Sequence, residues 1–79
     1  MKIFITKKVE IYLGKRNLHK KFKKCLLDLK DGNLKKVDFK KRKPKSDNIF
    51  QFRIDKKFRA FGYLQGEVFF IFSISDHQN

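Results

Sequence analysis

Arginine is the scarce cation of this chain, four residues against seventeen lysines. Two of the four, Arg53 and Arg59, flank the short polar connection Asp55 to Lys57. A guanidinium offers a planar fork that grips a phosphate through two parallel hydrogen bonds, which an ammonium cannot imitate. The pair therefore suits either phosphate binding or salt bridging, with Asp76 or Glu67 as the carboxylate. His77 directly follows Asp76, and an imidazole that titrates near neutrality can take or give a proton. A histidine in that place can equally be an idle surface residue. His19 falls among the lysines of a helical stretch and is expected to be inert. Lys35, Lys36, Lys40, Lys41, Arg42, Lys43 and Lys45 crowd around Pro44. Phe61 and Tyr63 alternate in step with Arg59. Cations for phosphate and rings for unpaired bases are what RNA binding requires. A solvated surface is the default role of any one of these lysines. The sequence has no Gly-rich phosphate loop, no Ser/His/Asp arrangement and no Cys/His group at zinc spacing, so the expected chemistry uses neither metal nor cofactor.

The balance of charge supports a polyanionic partner. Lys and Arg number 21 against eight Asp and Glu, a formal charge of +13 on 79 residues. Self-repulsion of that size opposes folding unless something anionic offsets it. Hydrophobic residues make up 41%, ten of them Phe with no Trp, enough for one small core and too many for a disordered basic tail. Cys25 is alone and can form no internal disulfide, which fits a reducing cytoplasm. Charges recur every few residues from Met1 to Leu13, so that stretch lacks the apolar centre of a signal peptide, and no run is long enough to span a bilayer. The expected protein is a soluble cytoplasmic domain.

The elements that must position these groups follow from periodicity. Lys2 to Thr6 alternates as a strand. Val9, Tyr12 and Leu13 share one helical face within Lys7 to Leu13, which Gly14 can end. From Asn17, a suitable N-cap, the residues Leu18, Phe22, Cys25, Leu26 and Leu29 form the apolar stripe of an amphipathic helix that closes at Gly32. Leu34 to Lys45, with Val37 and Phe39 as its apolar anchors, reads as an exposed strand entering a basic loop. Ile49 to Ile54, Phe58 to Leu64 and Glu67 to Ile74 form an antiparallel meander. The predicted fold is α+β, two N-terminal helices packed on a mixed sheet of about four strands, in a single domain over 1–79.

Register sharpens this picture. A two-residue link at Gln65 and Gly66 pairs Leu64 with Glu67, Phe61 with Phe70 and Arg59 with Phe72. Ala60 and Gly62 then share the opposite face with Phe69 and Ile71, a floor on which the helix from Asn17 to Lys30 is expected to lie. If the loop at Asp55 to Lys57 has three residues, Arg53 lies directly across from Arg59, whereas a two-residue loop would separate the pair. Two like charges so placed are unfavourable and suggest an anion between them.

The segment Phe52-Arg53-Ile54-Asp55-Lys56-Lys57-Phe58-Arg59-Ala60 resembles the strand, turn and aromatic-Arg signature of the RelE/ParE superfamily of type II toxin–antitoxin toxins. Ile74-Ser75-Asp76-His77-Gln78 resembles the ending of one branch, and the order of elements is similar over nearly the whole chain. The resemblance implies a compact microbial RNase-like fold and a cognate acidic antitoxin protein. It also implies metal-independent cleavage of mRNA on the ribosome through the ribose 2′-OH. In that case Arg59 binds the scissile phosphate with Arg53 assisting, His77 is the general acid or base, and Asp76 orients it. ParE-like members act on gyrase instead. A gyrase-directed toxin and a non-catalytic RNA-binding module therefore stay open as alternatives.

Overall fold

Thr6 ends the first strand and begins the first helix, its Oγ1 accepting the N–H of Val9 at 3.2 Å. A threonine hydroxyl at this position satisfies one of the donors that every helix start leaves open. In the computed structural model, which describes residues 1–76, the order is β1 (Lys2–Ile5), α1 (Lys7–Lys15), α2 (His19–Lys30), β2 (Lys40–Lys41), β3 (Ile49–Arg53), β4 (Phe58–Gln65) and β5 (Val68–Asp76). The sheet has five strands in the order β1-β5-β4-β3-β2, with β1 parallel to β5 and the other pairs antiparallel. It is thus an α+β fold with one strand more than the sequence suggested. Among the described residues, no helix is long and apolar enough to cross a membrane.

Asn17 does not cap α2. It is the left-handed residue that closes α1, with φ 56°, while the N–H of Leu18 donates to Leu13 O at 2.9 Å and that of Asn17 to Gly14 O at 3.2 Å. These two bonds form a Schellman motif, and Leu13 and Leu18 supply its buried apolar contact. Asparagine tolerates the left-handed region, so α1 runs through Gly14 to Lys15 before it stops. Gly32, at φ 81°, closes α2 in the same way, as its position implies.

Leu34 to Lys45 is not an extended strand. Leu34–Val37 forms a 3₁₀ turn and only Lys40–Lys41 pairs with β3. Val37 is buried, so the turn anchors the segment by one side chain where a strand would need a whole face. Asp38 then takes a left-handed conformation, φ 53°, and sends Phe39 inward against the rings of Phe50 and Phe69.

The β4–β5 register differs from the expected one by two residues at the turn. Gln65 pairs with Val68 and Tyr63 with Phe70, so Gly66 and Glu67 make the link. Gly66 has φ 61°, a conformation that glycine adopts without strain. A bulge opposite Phe61/Gly62 then adds one residue on β5, and Arg59 pairs with Ser75 rather than Phe72. The cause lies in the core. Ile71 and Ile74 are both buried, and strict alternation would have sent Ser73 inward in place of Ile74.

Ala60, Gly62, Phe69 and Ile71 do share the inner face. No helix rests directly on Gly62, however, because the Phe69 ring occupies that space. A Cβ on Gly62 would meet Phe69 ring carbons at 2.5 and 2.6 Å. Helix α2 lies instead towards β3, where Phe22 packs on Phe52, and α1 packs on β5. Both helices contribute to one inner-face core around Phe52, Phe69 and Ile71, each 0% exposed. The other face of the sheet is covered by no described element.

Candidate nucleic-acid interface

The turn after β3 builds the first part of the site. The Asp55 carboxylate accepts the N–H groups of Lys57 and Phe58, each at 2.8 Å, and the ammonium of Lys21 at 3.0 Å. Burial alone would push this carboxyl up. The Phe58 N–H, the Lys21 ammonium and the Lys57 N–H outweigh that effect and hold it below its ordinary value. A locked turn of three residues sets the register beyond it, and Arg53 pairs with Arg59. Both side chains belong to the uncovered face by alternation. Of the two loop lengths the sequence allowed, this is the three-residue one.

Arg59 has a carboxylate partner that sequence reasoning missed. Its Nη1 lies 3.8 Å from Asp38 Oδ2, too far for a hydrogen bond, and has no hydrogen-bond partner among the described residues. The Arg59 side chain is only 19% exposed and Nη1 itself is buried, and an unmet buried donor carries a desolvation cost that an anionic acceptor would remove. Neither acid first considered for this role takes it. Glu67 sits in the hairpin at the opposite end of the strand, and Asp76 pairs with Phe58 across the sheet and meets the Lys57 ammonium at 3.7 Å. Asp76 is thus on the opposite face from Arg59, which conflicts with its expected place beside the arginines. Only the left-handed turn at Asp38, invisible to periodicity, could have revealed the true partner. His77 lies outside the described residues.

The basic cluster divides between several surfaces. Lys40 and Arg42 project from the uncovered face, with the Arg42 guanidinium 4.8 Å from the centre of the Phe61 ring. That contact engages one face of Phe61, so its ring positions a cation as much as it offers a stacking surface. Lys41 points the other way and lays its ammonium 5.8 Å from the Phe50 ring. Lys43 and Lys45 stay exposed in the loop around Pro44. Lys35 and Lys36 ride on the 3₁₀ turn. Lys36 also lines a cleft of about 550 Å³ with Lys21, Lys24, Cys25, Asp28 and Arg53. The Cys25 thiol donates to Arg53 O at 3.5 Å. Burial and then Asp28 push its pKa up to about 11, so the thiol is un-ionised at neutral pH.

Tyr63 is exposed on the uncovered face as expected, and it is not alone. Phe70 lies 6.1 Å from it and Phe4 stacks on Phe70 at 5.7 Å. The uncovered face thus has an arginine end near Arg53 and Arg59 and an aromatic end near the β4–β5 turn. Along β4 the two are four residues apart, about 13 Å. Among the described residues no group of three His, Cys, Asp or Glu could hold a metal ion. No protein-family model matches the chain, and no curated protein matches it in sequence.

Proposed function

We propose that the chain is a RelE-type toxin, a metal-independent endoribonuclease that cleaves mRNA on the ribosome and is held in check by an acidic antitoxin protein. The observation that carries this reading is the Arg53–Arg59 pair on the uncovered sheet face, with an Arg59 donor left unmet. Negative charge on the phosphoryl oxygens grows as the 2′-oxygen attacks, and fixed guanidinium groups stabilise that charge most where water is scarce. Lys40 and Arg42, on the same face, extend the cationic track along which a strand would lie. In this reading His77 moves the proton. The order of one strand, two helices and a meander supports the family likeness, and a charge of +13 supports the acidic partner.

Single-turnover cleavage of mRNA on ribosomes tests the proposal. Arg59→Ala should slow cleavage by on the order of 10²-fold or more while ribosome binding changes far less. Arg59→Lys should recover only part of it, because the ammonium keeps the charge and loses the fork. His77→Gln should cost roughly 10²–10⁴-fold. If both Arg59→Ala and His77→Gln remain toxic with no mRNA cut, the nuclease reading fails and the gyrase-directed alternative replaces it.

A further inference from the structure

Phe4, Tyr63 and Phe70 are 54%, 42% and 40% exposed, large rings left in water on a face that no described element covers. Cross-strand ring pairs contribute to sheet stability, but a half-exposed side chain of any β-prone apolar type would serve that purpose. The three rings differ from such a patch in two ways. The Phe4 and Phe70 rings stack with their planes within 21° of each other, and Phe4 stands on the edge strand, so the pair is a short aromatic stack with an outer end to which another flat ring can add. The stack is also bordered by cations, with Lys2 on the same face of β1 as Phe4, and Arg42 on the strand beside Ile49, the cross-strand partner of Tyr63. An apolar protein segment would meet the same rings, but a chain of +13 favours a ligand that brings negative charge with each stacking group. Single-stranded RNA does so at every nucleotide.

We infer that Phe4, Phe70 and Tyr63 form a base-stacking subsite for unpaired RNA bases, on the same strand path as Arg53 and Arg59 but separate from the phosphate they bind. The inference rests on the RNA reading of those arginines and adds what they cannot supply. Guanidinium groups hold any phosphate, including that of a duplex, whereas exposed protein rings accept only bases that have left their own stack. Selection for single-stranded or unstacked RNA then resides in the aromatic end, and the chemistry in the arginine end.

The experiment compares two fluorescein-labelled oligonucleotides of equal length, 2′-O-methyl oligouridylate and the same 2′-O-methyl ribose-phosphate chain without bases. The 2′-O-methyl groups prevent cleavage, and the phosphate charge is the same in both. Stacking is worth about 1–3 kcal/mol per base, so one engaged base should make the uridylate bind about 5- to 150-fold tighter. Phe4→Ala should bring that ratio close to one with an unchanged salt slope, and Phe70→Ala should repeat the result. Phe4 lies on an edge strand and is the most exposed of the three, so its variant keeps the test decisive if Phe70→Ala fails to fold. The chain has no Trp and two Tyr, so in a Tyr12→Phe background the fluorescence of Tyr63 should quench with the uridylate and not with the abasic chain. Equal affinity for the two probes overturns the stacking subsite while leaving the arginine site intact. Failure of both probes to bind at low salt overturns the RNA reading as well.

Discussion

Arg59 and Ala60 are neighbours on one strand, yet they belong to two surfaces built on opposite terms. On the inner face, residues of complementary size fill space. Gly62 leaves room for the Phe69 ring, Ala60 is fully buried, and Phe22, Phe39, Phe50 and Phe52 complete an aromatic core. On the outer face, groups are set where they are uncomfortable. Arg53 faces Arg59, Arg42 rests on Phe61, and three rings stay half in water. Strict period-two alternation would have merged the surfaces at Ser73, and the bulge on β5 prevents this. The two faces therefore answer to separate demands, folding on one and ligand on the other. Substitutions should separate in the same way.

The largest expected effect is on the inner face. Phe69→Ala removes a ring with no exposure that packs against Phe39, Phe52 and Gly62. It should cost about 3–5 kcal/mol in urea denaturation, a large share of what a domain this small possesses. Phe70→Ala, one residue along and on the outer face, should cost less than about 1 kcal/mol. Equal losses from the two would break the comparison, because they would make the outer rings part of the folding core.

How much of this was legible in the sequence follows from the same division. The inner face is encoded by periodicity. The stripe Leu18, Phe22, Cys25 and Leu29 is buried, Leu26 is partly so, and Ala60, Gly62, Phe69 and Ile71 share one face. Arg53 opposite Arg59 was legible only in part, because the sequence allowed a two-residue loop as well as the three-residue one that the Asp55 carboxylate closes. The departures all occur where one residue changes direction. Asn17 and Asp38 adopt left-handed backbone in response to tertiary packing, and the bulge at Phe72 answers the demand of Ile74 for burial. None of these leaves a local periodic trace, and Asp38 as the partner of Arg59 was hidden for that reason. Phe4 and Phe70 were missed because only the parallel pairing of β1 with β5 brings them together.

A smaller effect belongs to the boundary between the faces, at Asp55. Its carboxyl is held below the ordinary value of 3.8, since the N–H and ammonium donors around it outweigh burial. A carboxyl depressed in the folded state adds stability that is present above its unfolded value and disappears as pH falls through the folded one. The wild type should therefore lose stability from this group below about pH 4. Asp55→Asn keeps an acceptor oxygen for the turn but gives up the charge, so it should be less stable at pH 7 by on the order of 1 kcal/mol. The gap should close as the two are titrated into acid. A gap that does not depend on pH would mean that the turn, and with it the Arg53–Arg59 register, does not rely on the ionised carboxylate.

The smallest effect separates Lys41 from Arg42, two adjacent cations on a two-residue strand and its continuation. Their formal charges are equal, so any reading of this segment as an undifferentiated basic cluster assigns them equal parts in RNA binding. The register assigns them different ones. The N–H of Arg42 donates to Ile49 O at 2.7 Å, which fixes its side chain on the outer face above Phe61. Lys41 pairs with Phe50 and is turned to the inner side at the sheet edge. Each phosphate contact on single-stranded nucleic acid contributes about 0.7 to the slope of log affinity against log salt. Arg42→Ala should lower the slope for oligouridylate by about that amount, and Lys41→Ala should leave it nearly unchanged. Arg42→Lys should preserve the slope, because one cation still meets one phosphate, while weakening affinity at every salt concentration through loss of the planar contact with Phe61. Lys41→Ala should instead register in denaturation, at about 0.5–1 kcal/mol for an exposed cation over a ring. Equal slope changes for Lys41→Ala and Arg42→Ala would show that RNA senses the charge of the whole edge and not the face from which it projects, and the separation of the two surfaces would then end at β3.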